Sequence, residues 1–247
     1  MILPICTRQD WTQQIPFNEV IVMNNEEFQA KQKRETEKLV HKLIRAIDEH
    51  PEKVNNYYDL GSLLTRLNDY QQAEELFMKA LGIFEAKKDQ TAIDLLNYGL
   101  GNLYYEVGKT DAAIKLYNKI EDPKIKADSY LMLAQSYMKK GQHKQAVAYG
   151  VTAHELRPAD PAINQVLGDS LLALGEFTAA KKYYDVILQR HPGRADTQFN
   201  RGIVAMVLGE PYQDYLTQAQ QLDPAYYKKS EQRLAEIEKT LQATKKK

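Results

Sequence analysis

Leucine-rich or aromatic stretches recur along the chain, each holding one small residue: Gly61, Gly101, Ala134, Gly168 and Gly202. The intervals between them are 40, 33, 34 and 34 residues, a period that marks a repeat architecture. Twelve residues after the first four comes an alanine, Ala73, Ala113, Ala146 or Ala180, each inside a second helical pattern. Between the two marks, seven residues past the first, sit Asn68, Gly108, Gly141, Gly175 and Gly209. Asparagine and glycine tolerate the left-handed backbone that ends a helix, so each unit reads as two antiparallel helices joined by a tight turn. Pro51, Pro158, Pro192 and Pro224 each follow by five residues a second-helix position, held by Ala46, Ala153, Ile187 or Ala219. Proline lacks the amide hydrogen that a helix interior uses but fits the first turn, so these prolines predict where the next helix starts. Small residues let two helices approach closely while large ones fill the space beside them. On that register, Ala180→Leu overpacks a helix contact by about 1–3 kcal/mol.

This pattern resembles the tetratricopeptide repeat, W-x2-L-G-x2-Y, then A-x3-F, then P over about 34 residues. The third unit reads Tyr130, Leu133, Ala134, Tyr137, Gly141, Ala146, Ala153 and Pro158, departing at Gly150 where that family favours an aromatic. The first reads Tyr57, Leu60, Gly61, Leu64, Ala73, Phe77 and Ala80. The resemblance implies an all-α fold, an α-solenoid of about five helical hairpins over residues 52–224, with units near 54–87, 94–126, 127–160, 161–194 and 195–224. About six extra residues around Glu85–Thr91 are expected to lengthen the flanking helices or the loop, and the fifth unit runs short, with Pro211 early in its second helix. Residues 25–51, carrying Phe28, Leu39, Leu43 and Ala46, read as a half-repeat helix. Residues 225–247 read as a capping helix and basic tail, because Tyr227, Leu234, Ile237 and Leu241 share one face and stacked repeats need a polar outer end.

Residues 1–24 fall outside the pattern and are apolar for a terminus, with Trp11, Ile15, Phe17 and the run Val20–Met23. Three readings stay open: a loosely docked end, a true start at Met23, or an internal ligand of the repeat array that a partner displaces. The opening MILPICTR has no basic leader and its apolar run is too short for an export signal.

Composition narrows the function. No apolar run approaches the roughly 20 residues of a membrane helix, and lysine plus arginine balances aspartate plus glutamate at 33 each, so neither a membrane nor a nucleic acid is an expected partner. The single cysteine, Cys6, builds no disulfide framework, which fits a reducing, cytoplasmic setting. Catalytic patterns are missing. His154-Glu155 opens like H-E-x-x-H, but Pro158 stands at the second histidine, and His50 and His191 only precede repeat prolines. Gly99 and Gly101 form a G-x-G with Tyr104 in place of the third glycine, in a helical context. Acidic pairs such as Glu26-Glu27 and Glu74-Glu75 read as solvated helix faces. The expectation is a protein without enzymatic activity, cofactor or metal.

In the family resembled, the first helices of successive units line the concave surface where ligands bind. Register then implies a lining of Asn55, Tyr58, Ser62 and Thr65 from unit one; Tyr98, Asn102 and Tyr105 from unit two; Leu131, Gln135 and Met138 from unit three; Gln165, Asp169 and Leu172 from unit four; and Phe199, Ile203 and Met206 from unit five. Tyr98 and Tyr105 are the members expected to be most exposed. Relatives that clamp acidic carboxyl-terminal tails do so with lysine, arginine and asparagine. The matching positions here hold Tyr58, Ser62, Asp128 and Met132, with Asn102 alone in keeping, which disfavours such a tail. Tyrosine and methionine instead suit a peptide or an amphipathic helix. The resulting expectation is a protein- or peptide-binding scaffold, or alternatively a peptide-sensing regulator of a separate output protein, with the oligomeric state open.

Overall fold

The computed structural model describes residues 25–245, so the readings of residues 1–24, Cys6 among them, lie outside the described residues. Those residues form twelve α-helices and no strand. A long helix α1 (Asn25–Glu49) is followed by five helical pairs. These are α2 (Val54–Arg66) with α3 (Tyr70–Ala86), α4 (Gln90–Glu106) with α5 (Thr110–Tyr117), and α6 (Pro123–Lys139) with α7 (His143–Leu156). Then come α8 (Pro161–Ala173) with α9 (Phe177–Arg190), α10 (Ala195–Leu208) with α11 (Gln213–Leu222), and a final helix α12 (Pro224–Lys245). No helix among them is long and apolar enough to cross a membrane.

All five anticipated turn residues adopt the left-handed conformation, with φ between 62° at Asn68 and 80° at Gly108. The helices start where local chemistry supplies a cap: the carboxylates of Asp69, Asp89, Asp122 and Asp160 accept from backbone amides in the first turns of α3, α4, α6 and α8. Pro51, Pro158 and Pro192 sit three residues before their helices, in the turn rather than in the first helical turn, while Pro224 is the first residue of α12. Pro211 likewise lies in the turn before α11, which is only 10 residues long.

The extra residues between units one and two go into helix. α3 and α4 each run 17 residues, against 13 or 14 for the helices of unit four, and the connection takes a left-handed bend at Lys88 (φ 56°). Unit two then shortens: α5 has 8 residues, and the chain turns through Asn118–Asp122 into α6. Asp94, fully buried on α4, holds that turn; its Oδ2 accepts from the amides of Glu121 (2.8 Å) and Asp122 (2.7 Å), and Oδ1 from Gln90 (2.8 Å).

Packing follows the alternation of size. Phe77, Tyr117 and Tyr184 lie 16 residues after Gly61, Gly101 and Gly168 and press their rings against those glycines. Unit three inverts the arrangement. Gly150 stands at the aromatic position and receives Leu167, while the aromatic moves to Tyr149, which stacks on Tyr137 (5.3 Å between ring centres, 4° between planes) and Tyr130 (6.3 Å, 29°). At the ends, Val40, Leu43 and Ile47 of α1 pack on the first hairpin, and Tyr227, Leu234, Ile237 and Leu241 of α12 on the last. Successive first helices touch, α2 with α4, α4 with α6, α6 with α8 and α8 with α10, whereas second helices of neighbouring units make no comparable contact among the described residues. A stack closer on one side than the other curves toward it, so the first helices form the inner wall.

Candidate functional site

The inner wall is less open than register alone implies. Tyr58, Ser62, Thr65, Asn102, Tyr105, Gln135, Met138, Gln165 and Asp169 are half-buried there, and Asn55 is exposed. Six anticipated members are covered: Tyr98, Leu131, Leu172, Phe199, Ile203 and Met206. Tyr98, expected among the most accessible, is only 3% exposed, because its ring packs with Tyr117 at 6.1 Å inside the α4–α5–α6 core. Phe199 and Ile203 are 0% and 1% exposed. The cap helix accounts for that, since Tyr226 and Tyr227 of α12 meet the Phe199 ring edge-on at 5.9 and 5.8 Å. The accessible lining therefore runs from unit one to unit four and closes where α12 begins.

Within it, two polar groups are held from behind by the same device. In unit two the phenol of Tyr117 donates to Asn102 Oδ1 at 2.8 Å, and in unit four the phenol of Tyr184 donates to Asp169 Oδ1 at 2.7 Å. Each tyrosine is the ring that presses on the small residue just before its partner, Gly101 or Gly168, so the glycine opens the route by which the hydroxyl crosses the hairpin. Burial pushes the Tyr98 phenol and that of the half-buried Tyr58 up, with the neighbouring Asn102 amide and Ser62 hydroxyl acting in the opposite direction. Tyr105 carries the Lys139 ammonium 4.5 Å above its ring.

The unit-four end is more elaborate. Asp169 Oδ1 also accepts from Gln165 (2.9 Å) and Asn200 (2.9 Å), and Thr197 donates to the Gln165 carbonyl oxygen at 2.7 Å. Burial raises the Asp169 carboxyl above the ordinary aspartate value despite the bonds from Tyr184, Gln165 and Asn200, and the nearby charge of Asp196 adds to the rise. Asp196 itself moves the other way: burial opposes ionisation, but the Arg194 guanidinium at 2.7 Å and the Thr197 amide outweigh it. Asp128 is engaged by Arg157 at 2.7 Å, and Met132 is buried, so neither position offers a cationic clamp for a carboxylate.

Sequence reasoning singled out Asn102 and Asp169 but not Tyr117, Tyr184, Asn200, Thr197 or Arg157. The available signal was the shared 15-residue offset from Asn102 to Tyr117 and from Asp169 to Tyr184. His154, set aside as a metal ligand, meets the Tyr183 ring edge-on at 5.4 Å.

Sequence models of the tetratricopeptide repeat match residues 54–87, 96–121 and 137–199. Among curated proteins, the chain is 25% identical over 197 residues to the human protein O-mannosyl-transferase TMTC1, an alignment covering 76% of this chain and 22% of that one. It is 35% identical over 63 residues to response regulator aspartate phosphatase J of Bacillus subtilis, covering 26% of this chain and 17% of the relative. The aligned part is thus about a fifth of each relative's length. Among solved structures, YrrB, a tetratricopeptide repeat protein with an unusual peptide-binding site, superposes with a TM-score of 0.57 at 25% identity, covering 74% of this chain and 93% of that one.

Proposed function

We propose that this chain, which belongs to the tetratricopeptide repeat family, is a binding scaffold that holds a peptide or an extended or helical segment of another protein along its inner wall. The observation that carries the reading is the half-buried, mixed polar and apolar lining from Tyr58 to Asp169, in which Asn102 and Asp169 are fixed by buried tyrosines before any ligand arrives. Side chains already ordered lose less entropy when a partner binds. The likeness to YrrB, itself a peptide-binding protein of this family, supports the same assignment. The scaffold acts without turnover or cofactor, in the cytoplasm, on a partner that is neither a nucleic acid nor a protein ending in an acidic tail. A second reading, a peptide sensor that controls a separate output protein, is favoured by the local likeness to the response regulator aspartate phosphatase.

The test is a tagged purification from native cells, comparing the wild type with a protein carrying Tyr105→Ala and Met138→Ala. Both side chains are half-buried on the inner wall and pack on the core only in part, so the protein should melt lower but stay folded while the co-purifying partner is lost. An unchanged set of co-purifying proteins counts against the reading.

A further inference from the structure

The chemistry of the bound segment can be read from the unit-four end. A buried or half-buried carboxylate is ordinarily matched by a cation or, as at Asp94, by donors on both oxygens, because desolvating it costs several kcal/mol otherwise. Asp169 has no such match: among the described residues no lysine, arginine or histidine pairs with it. Its three donors are neutral and all converge on Oδ1, from Tyr184, Gln165 and Asn200. No donor reaches Oδ2, which is not fully buried and keeps some contact with solvent. Two arginines at this end are bonded to other residues. Arg194 gives Nε and Nη2 to Asp196 at 3.2 and 2.7 Å, and Arg233 gives Nη1 to Asn200 Oδ1 at 3.3 Å.

The corresponding position in unit two shows how specific this is. Asn102 is fixed through its oxygen in the same manner, but what remains to it is a neutral amide beside Tyr98. Ser62 and Gln135, in the same register of units one and three, are also neutral, and Ile203 of unit five is buried. Only unit four places a negative charge at this point of the wall.

We propose that Asp169 Oδ2 receives a lysine or arginine side chain of the bound segment, with Tyr184, Gln165 and Asn200 orienting the carboxylate and the apolar remainder of the segment lying toward Met138 and Tyr105. The inference rests on the inner-wall reading given above. It makes the partner's anchoring residue cationic and places it at the end of the wall where α12 closes the channel. Three donors on one oxygen hold the carboxylate plane, so the open oxygen is aimed before binding.

The test is selection of random nine-residue peptides displayed on phage against the full chain and against the Asp169→Asn variant. A lysine or arginine should recur at one position among peptides selected by the wild type and not among those selected by the variant. A synthetic peptide from the wild-type selection should bind Asp169→Asn about tenfold or more weaker, the scale of a charge-assisted hydrogen bond, with no fall in the variant's melting temperature. Selected peptides lacking a recurrent cation, or binding the variant as tightly, overturn the Asp169 assignment. The inner-wall reading survives that outcome provided Tyr105→Ala with Met138→Ala abolishes binding. Peptides indifferent to that double substitution, or no selection at all, overturn both.

Discussion

The ring of Tyr184 lies so close to Gly168 that a β-carbon on the glycine would stand 2.6 Å from Cε1 and 2.9 Å from Cδ1. Tyr184 is fully buried and its hydroxyl is tied to Asp169, so the ring has nowhere to retreat. Gly168→Ala should therefore destabilise the protein by about 1–3 kcal/mol, the usual cost of overpacking. Thermal or urea unfolding checks it; a melt equal to the wild type would show that the hairpin does not depend on this contact.

Asp94 should matter more than a single polar residue usually does. It accepts from two amides in the turn that replaces the second half of a helix, so Asp94→Ala leaves both without a partner and should cost about 1.5–3 kcal/mol. Hydrogen exchange at Glu121 and Asp122 should quicken before exchange elsewhere. Unchanged protection of those two amides would contradict the role given to Asp94.

Ser136 and Ser170, 34 residues apart, are both fully buried, and their hydroxyls have no hydrogen-bond partner. The same register of the other units holds Leu63, Leu103 and Val204. Removing an unsatisfied buried hydroxyl removes its desolvation cost. Ser136→Ala and Ser170→Ala should each leave stability unchanged or raise it by up to about 1 kcal/mol, as read by urea unfolding, and a clear loss would mean that the hydroxyls are engaged.

The raised Asp169 carboxyl has a pH signature. The folded protein holds that proton more firmly than the unfolded chain does, so ionisation costs stability as pH climbs from below the ordinary aspartate value of 3.8 through the raised folded value. An asparagine does not titrate. The stability of Asp169→Asn relative to the wild type should therefore rise over that interval and level off above it. A difference that is constant with pH, or that falls, would contradict an Asp169 raised by burial.

What could be read from residues alone was what has a local cause. Asn68 and the four turn glycines announce their left-handed backbone because few residues accept it, whereas the same conformation at Lys88 has no compositional sign. The lengthened α3 and α4 were visible only as extra residues, and the shortened α5 depends on a carboxylate 27 and 28 residues before the amides it holds. Register named the residues on the first-helix side but not their cover. Tyr98 is covered by the fold of its own hairpin, and Phe199 by a cap helix whose docking angle no local pattern records. Asp169 was placed on the wall by register, while its fixed orientation comes from Tyr184, a partner from the other helix of the unit.

The most direct test of the inner wall as the binding surface is photo-crosslinking in native cells with benzoylphenylalanine in place of either Tyr105 or Met78. Tyr105 lies half-buried on the first-helix side, and Met78 is 54% exposed on the second helix of unit one. The probe at position 105 should capture a discrete partner that the probe at position 78 does not. Capture from position 78 with none from position 105 would contradict the account.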